Sequence, residues 1–157
     1  MTEVFSAGSL LSARNIAAEP LPPGADGTEN VRIPAASIAD AVLLLRNDPS
    51  ANFDLLLSVT ATDFKDRIEV LYHLYSSGTS RTVNVKANLD PAAPRIPSIC
   101  RIHSAANYYE RETYDLVGVV FDGHPDLRRI LLPYSWKGHP LRKDYVMDDE
   151  RLKWNSR

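Results

Sequence analysis

Three runs of alternating side chains, separated by four-residue connectors, constrain the fold of this chain more than any other feature. In 54–62, Leu55, Leu57, Val59 and Ala61 alternate with Leu56, Ser58, Thr60 and Thr62. In 67–76, Ile68, Val70, Tyr72 and Leu74 alternate with Glu69, Leu71, His73 and Tyr75. In 81–88, Val83, Val85 and Ala87 alternate with Thr82, Asn84 and Lys86. Period 2 puts one set on a buried face and the other outward, which predicts three strands. The connectors, 63–66 and 77–80, are too short for a crossover, so the strands run antiparallel.

Such a sheet needs a cover for its apolar face. The spacing predicts it over 34–47, where Ile38, Ala41, Val42 and Leu45 fall on one helical face. Pro34 suits the helix start, and Asp48 before Pro49 ends it. Upstream, 1–30 is rich in Ala, Ser, Pro and Gly and is expected to be a flexible N-terminal tail. The expected α+β domain is therefore 31–122.

Downstream, Pro91, Pro94 and Pro97 exclude an interior strand, so 90–97 crosses over. A short helical turn is expected over 97–102. Ser104 is the expected cap of a second helix running to about Leu116, with Gly118 at its end and a short strand over 119–121. After Asp122 the chain reads as a long ordered loop. It carries Leu127, Ile130, Leu131, Leu132, Tyr134 and Trp136, too apolar for a disordered tail. The segment 123–157 is therefore expected to pack on its own domain or on a neighbour, with a charged end beyond Met147. The fold class is α+β, an antiparallel or mixed sheet with helices packed on one face, followed by a long ordered C-terminal extension.

The chemistry is sparse. A net charge of −2 argues against a nucleic-acid surface. Cys100 is the single cysteine, which excludes an intrachain disulfide and a protein-only iron–sulfur site. No apolar run approaches the roughly 20 residues of a membrane span. There is no Gly-x-Gly-x-x-Gly, phosphate loop or nucleophile elbow. His73, His103, His124 and His139 do not assemble a ligand pattern with Cys100, so no metal site is expected. Glu112 and Asp115 share a helix face, as glycosidase-type carboxylates would, but Arg111 stands four residues from Asp115 and predicts an ion pair instead. Asp126 beside Arg128 and Arg129, and Asp144 beside Arg142 and Lys143, predict further pairs. Charged groups with Tyr and Trp and no reaction to run fit a protein–protein surface.

Three stretches carry a family resemblance. They are Glu110-Arg111-Glu112-Thr113-Tyr114-Asp115-Leu116-Val117-Gly118, Gly123-His124-Pro125-Asp126-Leu127-Arg128-Arg129-Ile130-Leu131, and Gly138-His139-Pro140-Leu141-Arg142-Lys143-Asp144-Tyr145. With the strand at 67–76, they resemble the 30 kDa-type (C-type) subunit of proton-pumping NADH–quinone oxidoreductase, respiratory complex I. The likeness covers about 34–145. The family usually has Trp where Tyr108 stands and Phe where Val117 stands, which alters packing and not the charged pattern.

The resemblance implies a non-catalytic subunit of the peripheral arm, needed for assembly of the module that passes electrons from NADH to quinone. It implies no catalytic, cofactor or metal residue on this chain, with iron–sulfur clusters and FMN on partner subunits. Its implied partners within complex I are the large quinone-site (D-type) subunit and the neighbouring iron–sulfur (B-type and I-type) subunits. The implied location is the cytoplasmic side of the inner membrane, reached through the complex. The expected interface residues are Glu110, Arg111, Glu112, Asp115, His124, Arg128, His139, Arg142 and Lys143. The alternatives are the equivalent subunit of a related hydrogenase or a ferredoxin- or coenzyme-dependent complex, and, more distantly, a small hydrolase using Glu112 and Asp115.

Overall fold

The computed structural model describes residues 5–147. The three alternating runs form the centre of a five-stranded sheet, as β3 (Leu55–Asp63), β4 (Ile68–Ser76) and β5 (Arg81–Leu89). β4 pairs antiparallel with both neighbours, in unbroken register with β5 from Ile68 opposite Leu89 to Ser76 opposite Arg81. Ile68, Val70, Tyr72 and Leu74 are buried, as the alternation requires.

β3 departs from the expected phase. Its register shifts between Leu56 and Ser58, so one extra residue is accommodated there. Leu56 and Val59 face the core, while Leu55 and Leu57 are exposed. The expectation that Leu55, Leu57 and Val59 share a face is thus corrected by a bulge.

The sheet extends into the segment expected to be a tail. β1 (Glu19–Leu21) pairs antiparallel with β2 (Glu29–Arg32), and β2 pairs parallel with β5, giving the order β1-β2-β5-β4-β3. The sheet is therefore mixed. Pro20 sits in the edge strand β1, where a missing N–H does no harm. Before it, α1 (Ala7–Ala13) buries Ala7 and Leu11 completely. Its first turn is held by Glu29, whose carboxylate accepts from the Ser6 hydroxyl and the Ala7 and Gly8 amides at 2.8, 2.9 and 3.1 Å. The described part of 1–30 is thus packed secondary structure.

α2 (Ile38–Asn47), entered through a 3-10 turn at Ala35–Ser37, buries Ile38, Ala41, Val42 and Leu45 in the predicted pattern. β6 (Arg95–Pro97) and β7 (Val120–Asp122) form a separate two-stranded parallel sheet. Between them lies α3 (Ala106–Val117), which ends at Gly118 in the left-handed conformation, φ 85°. Ser104 does not cap it: the N-cap is Ala105, with no side-chain hydrogen bond. Residues 98–105 hold turns; the Ile102 and His103 amides both donate to the Ile99 carbonyl, so the short helical turn expected over 97–102 closes at 99–103.

α3 packs along β3, and the Thr113 hydroxyl donates to the Val59 carbonyl at 3.1 Å. Ala106, Glu110, Thr113 and Val117 make its inward face. Residues 123–147 hold no helix or strand and are built from turns. The expected charged end beyond Met147 lies outside the described residues.

Candidate functional site

The charged signature gathers where α3 meets residues 123–145. Asp115 is 0% exposed although it lies near the helix end. One carboxylate oxygen accepts the consecutive amides of Ile130, Leu131 and Leu132 at 3.0, 2.8 and 2.9 Å. The other accepts Arg129 Nη1 at 2.6 Å. Burial alone pushes the Asp115 carboxyl up, but these donors outweigh it and hold it below the ordinary Asp value. Arg129 also donates to the Asp115 and Gly138 carbonyls at 3.2 and 2.9 Å. The expected pairing of Asp115 with Arg111 is therefore not formed. Arg111 instead donates to the Arg128 and Arg129 carbonyls, both at 3.2 Å, from the outer side of the helix.

His139 closes the next turn. Its Nδ1–H donates to the Asp115 carbonyl at 3.0 Å, and its ring meets Tyr114 edge-on, with centroids 5.8 Å apart. The ring also fills the space beside Gly118, where a Cβ would come within 2.6 Å of it. Leu141 then donates its amide to the Leu116 carbonyl at 2.9 Å.

Arg142 and Lys143 reach Asp63 at the end of β3. The Lys143 amide donates to the Asp63 carboxylate at 2.9 Å, and Arg142 Nε lies 3.5 Å from it. The Lys143 amide is the main reason the Asp63 carboxyl lies below its ordinary value, against the effect of burial. Arg142 also donates to the Pro91 carbonyl at 2.9 Å and lies 3.4 Å from Asp144, the predicted local pair. The predicted Arg128–Asp126 pair forms at 2.7 Å on the surface.

Glu110 points the other way, fully buried, and accepts from the Ser98 hydroxyl at 2.6 Å and the Ile99 amide at 2.8 Å. Burial raises its carboxyl above the ordinary Glu value, and those donors offset only part of that rise. Glu112 is exposed. Glu112 and Asp115 therefore do not make a carboxyl pair facing a common cleft. His124 accepts the Asp126 amide at Nδ1 (3.0 Å), so its Nε2–H donates to the Asn107 carbonyl at 3.2 Å.

Two participants were missed at the level of sequence, Arg129 as the partner of Asp115 and Asp63 as the anchor for Lys143. An Asp at a strand end before a turn is a local signal, and Asp63 does accept the Lys65 amide at 2.7 Å. Nothing local connects it to a residue 80 positions on.

Despite these ties, the same segment leaves apolar groups in water. Leu131, Tyr134 and Leu141 are 61%, 73% and 57% exposed, and Ile130, Val146 and Met147 are exposed too.

Comparison with known proteins decides the family. The family model for the 30 Kd subunit of respiratory-chain NADH dehydrogenase matches residues 31–151. The chain belongs to that family. Relatives named as the C subunit of NADH-quinone oxidoreductase include one from Methylobacterium sp. (strain 4-46), 46% identical over 66% of this chain and 49% of the relative. One from Roseiflexus sp. (strain RS-1) is 39% identical over 80% of this chain and 74% of the relative. One from Rhodobacter capsulatus is 43% identical over 76% and 61%. The chain thus spans between about half and three quarters of these relatives' lengths.

Among solved structures, a chain of the archaeal membrane-bound sulfane sulfur reductase, a respiratory membrane complex, matches with a TM-score of 0.73 at 30% identity, over 88% of this chain and 82% of that one. A trypsin-resistant fragment of Nqo5 matches with a TM-score of 0.60 at 26% identity, over 74% and 92%. The α+β class read from the sequence is the fold of this 30 kDa-type subunit. No helix among the described residues is long and apolar enough to cross a membrane.

Proposed function

We propose that this chain is a non-catalytic subunit of the peripheral arm of a proton-pumping NADH–quinone oxidoreductase, and that residues 123–147 are its docking surface. The observation that carries this reading is a segment fixed to its own domain by Asp115, Arg129 and Asp63 that still presents Leu131, Tyr134 and Leu141 to solvent. Monomeric proteins seldom keep such groups together in water unless a partner covers them. Holding the segment before docking lowers the ordering cost of association.

In this reading the partner is the large quinone-site (D-type) subunit, with the iron–sulfur B-type and I-type subunits beside it. The flavin and the clusters belong to those neighbours and to the NADH-oxidising module, and electrons do not pass through this chain. It sits on the cytoplasmic side of the inner membrane through the complex. A cleft of about 450 Å³ borders the segment between Asp63, Lys65, Pro91 and Arg142. Among its charged lining residues, Arg142 lies 3.5 Å from Asp63 and 3.4 Å from Asp144, a pairing that suits a structural seam better than a reaction site.

A second reading is favoured by one observation, the match to a chain of the sulfane sulfur reductase complex over 88% of this chain. In that reading the same docking surface serves a related membrane complex with another electron donor or acceptor. Affinity purification of the tagged chain from solubilised membranes, followed by mass spectrometry, separates the two. Recovery of an NADH-oxidising flavoprotein together with the quinone-site and iron–sulfur subunits supports the first. Recovery of another donor or acceptor module supports the second, and recovery of the chain alone contradicts both.

A further inference from the structure

Three carboxylates of this region are buried, and two of them face a guanidinium, Asp115 with Arg129 and Asp63 with Arg142. Glu110 does not. It is 0% exposed, and among the described residues no Lys or Arg forms an ion pair with it. Its contacts are the Ser98 hydroxyl, the Ile99 amide and the Cys100 thiol, whose Sγ is 3.3 Å from Oε2. A buried carboxylate with no opposite charge is costly unless it takes up a proton or holds a cation.

Two of the side chains beside Glu110, the Cys100 thiol and the His124 imidazole, are of metal-ligating type. One atom each from Cys100, Glu110 and His124 lie within 4.8 Å of one another. They come from three segments, the turn after β6, the inward face of α3 and the turn after β7. Parallel pairing of β6 with β7 brings the two turns to the same end of the helix's inner face.

We propose that Cys100, Glu110 and His124 form a three-ligand site for a divalent cation of the zinc class. Such an ion is redox-silent and ties the start of the C-terminal segment to α3. Thiolate with imidazole selects zinc over magnesium or calcium, which take oxygen ligands. Zinc bonds of about 2.0–2.3 Å place tetrahedral ligand atoms roughly 3.5 Å apart; Cys100 Sγ and Glu110 Oε2 already lie 3.3 Å apart, and the remaining ligand distances, all within 4.8 Å, close up on binding.

A ligating imidazole keeps its other N–H on a carbonyl or carboxylate, and the Nε2–H of His124 already rests on the Asn107 carbonyl. The ion displaces the present partner of whichever ring nitrogen ligates it, the Asp126 amide at Nδ1 or the Asn107 carbonyl at Nε2. Binding replaces the S–H bond of Cys100 with a metal–sulfur bond. The thiol proton leaves to solvent, as does any proton held by Glu110. Water takes the fourth position. A metal here would revise the expectation, drawn from sequence spacing, that the chain binds none. The site stands independently of the proposed place of the chain in a respiratory complex.

The test uses the full chain, stripped with a chelator and titrated with Co²⁺ as a spectroscopic probe, then with Zn²⁺. The site predicts one Co²⁺ per chain, a near-ultraviolet thiolate-to-cobalt charge-transfer band, and loss of that band when Zn²⁺ displaces cobalt. Because Cys100 is the single cysteine, the band is assignable. Cys100→Ser should abolish it, and His124→Gln should weaken cobalt binding by roughly an order of magnitude or more while circular dichroism stays native. Absence of binding, binding without the band, or equal binding by both variants would overturn the site.

Discussion

Asp115 and Arg129 stand 14 residues apart in sequence and meet at 2.6 Å, with Asp115 fully buried and the Arg129 side chain 14% exposed. Around that pair the amides of Ile130, Leu131 and Leu132 turn onto one carboxylate oxygen. A single acidic side chain at the end of α3 thereby sets the course of the chain that follows.

Asp115→Ala removes an acceptor from four donors and leaves a mostly buried guanidinium unpaired. Breaking a buried pair from one side costs about 3–5 kcal/mol, so urea unfolding of this variant should show a loss of that order. Because the folded carboxyl lies below its ordinary value, this contribution stands above about pH 4 and is lost as pH falls through the folded value. Amide exchange at 130–132 should rise more than exchange in β4. Unchanged protection at 130–132 would remove Asp115 from its anchoring role.

Gly118 ends α3 at φ 85°, and a Cβ there would meet the His139 ring at 2.6 Å. Gly118→Ala should therefore cost at least about 1 kcal/mol in left-handed strain and also displace His139. In a ¹H–¹⁵N NMR spectrum the largest shifts should fall at 138–141 as well as at the substitution. Shifts confined to 117–119 would mean that His139 does not depend on the open space at Gly118.

His103 is 5% exposed, and burial, assisted by the Arg46 charge and opposed by Asp54, pushes it down from 6.5 to about 4. The unfolded chain binds this proton first on acidification. Stability is therefore present above about pH 6.5 and is lost as pH falls toward 4. His103→Gln should flatten the fall between pH 6.5 and 4.5 by roughly 1–3 kcal/mol relative to the parent. Parallel curves for parent and variant would assign the acid sensitivity elsewhere.

β4 and β5 were readable because their alternation never breaks. β3 was not, because Leu55-Leu56-Leu57 is apolar in either phase and only the bulge selects Leu56 for the core. α1 was hidden for a different reason. Its first turn is satisfied by Glu29, more than 20 residues downstream, so the local composition resembles a tail. The ion pairs divide in the same way. Arg128 with Asp126 is local and was legible. Asp115 chooses Arg129 over the helical neighbour Arg111 because residues 129–132 return to bury it.

The exposed apolar groups of the fixed C-terminal segment give the most direct test of docking. In a strain carrying only the Leu131→Asp, Tyr134→Asp chain, the membrane content of assembled NADH–quinone oxidoreductase and its NADH-dependent quinone reduction can be measured together. Both side chains are exposed, at 61% and 73%, so the isolated variant should keep its Tm. Docking through this segment predicts that assembly and quinone reduction fall in parallel. Full assembly and full activity in this variant would contradict the proposal that residues 123–147 dock this subunit into the arm.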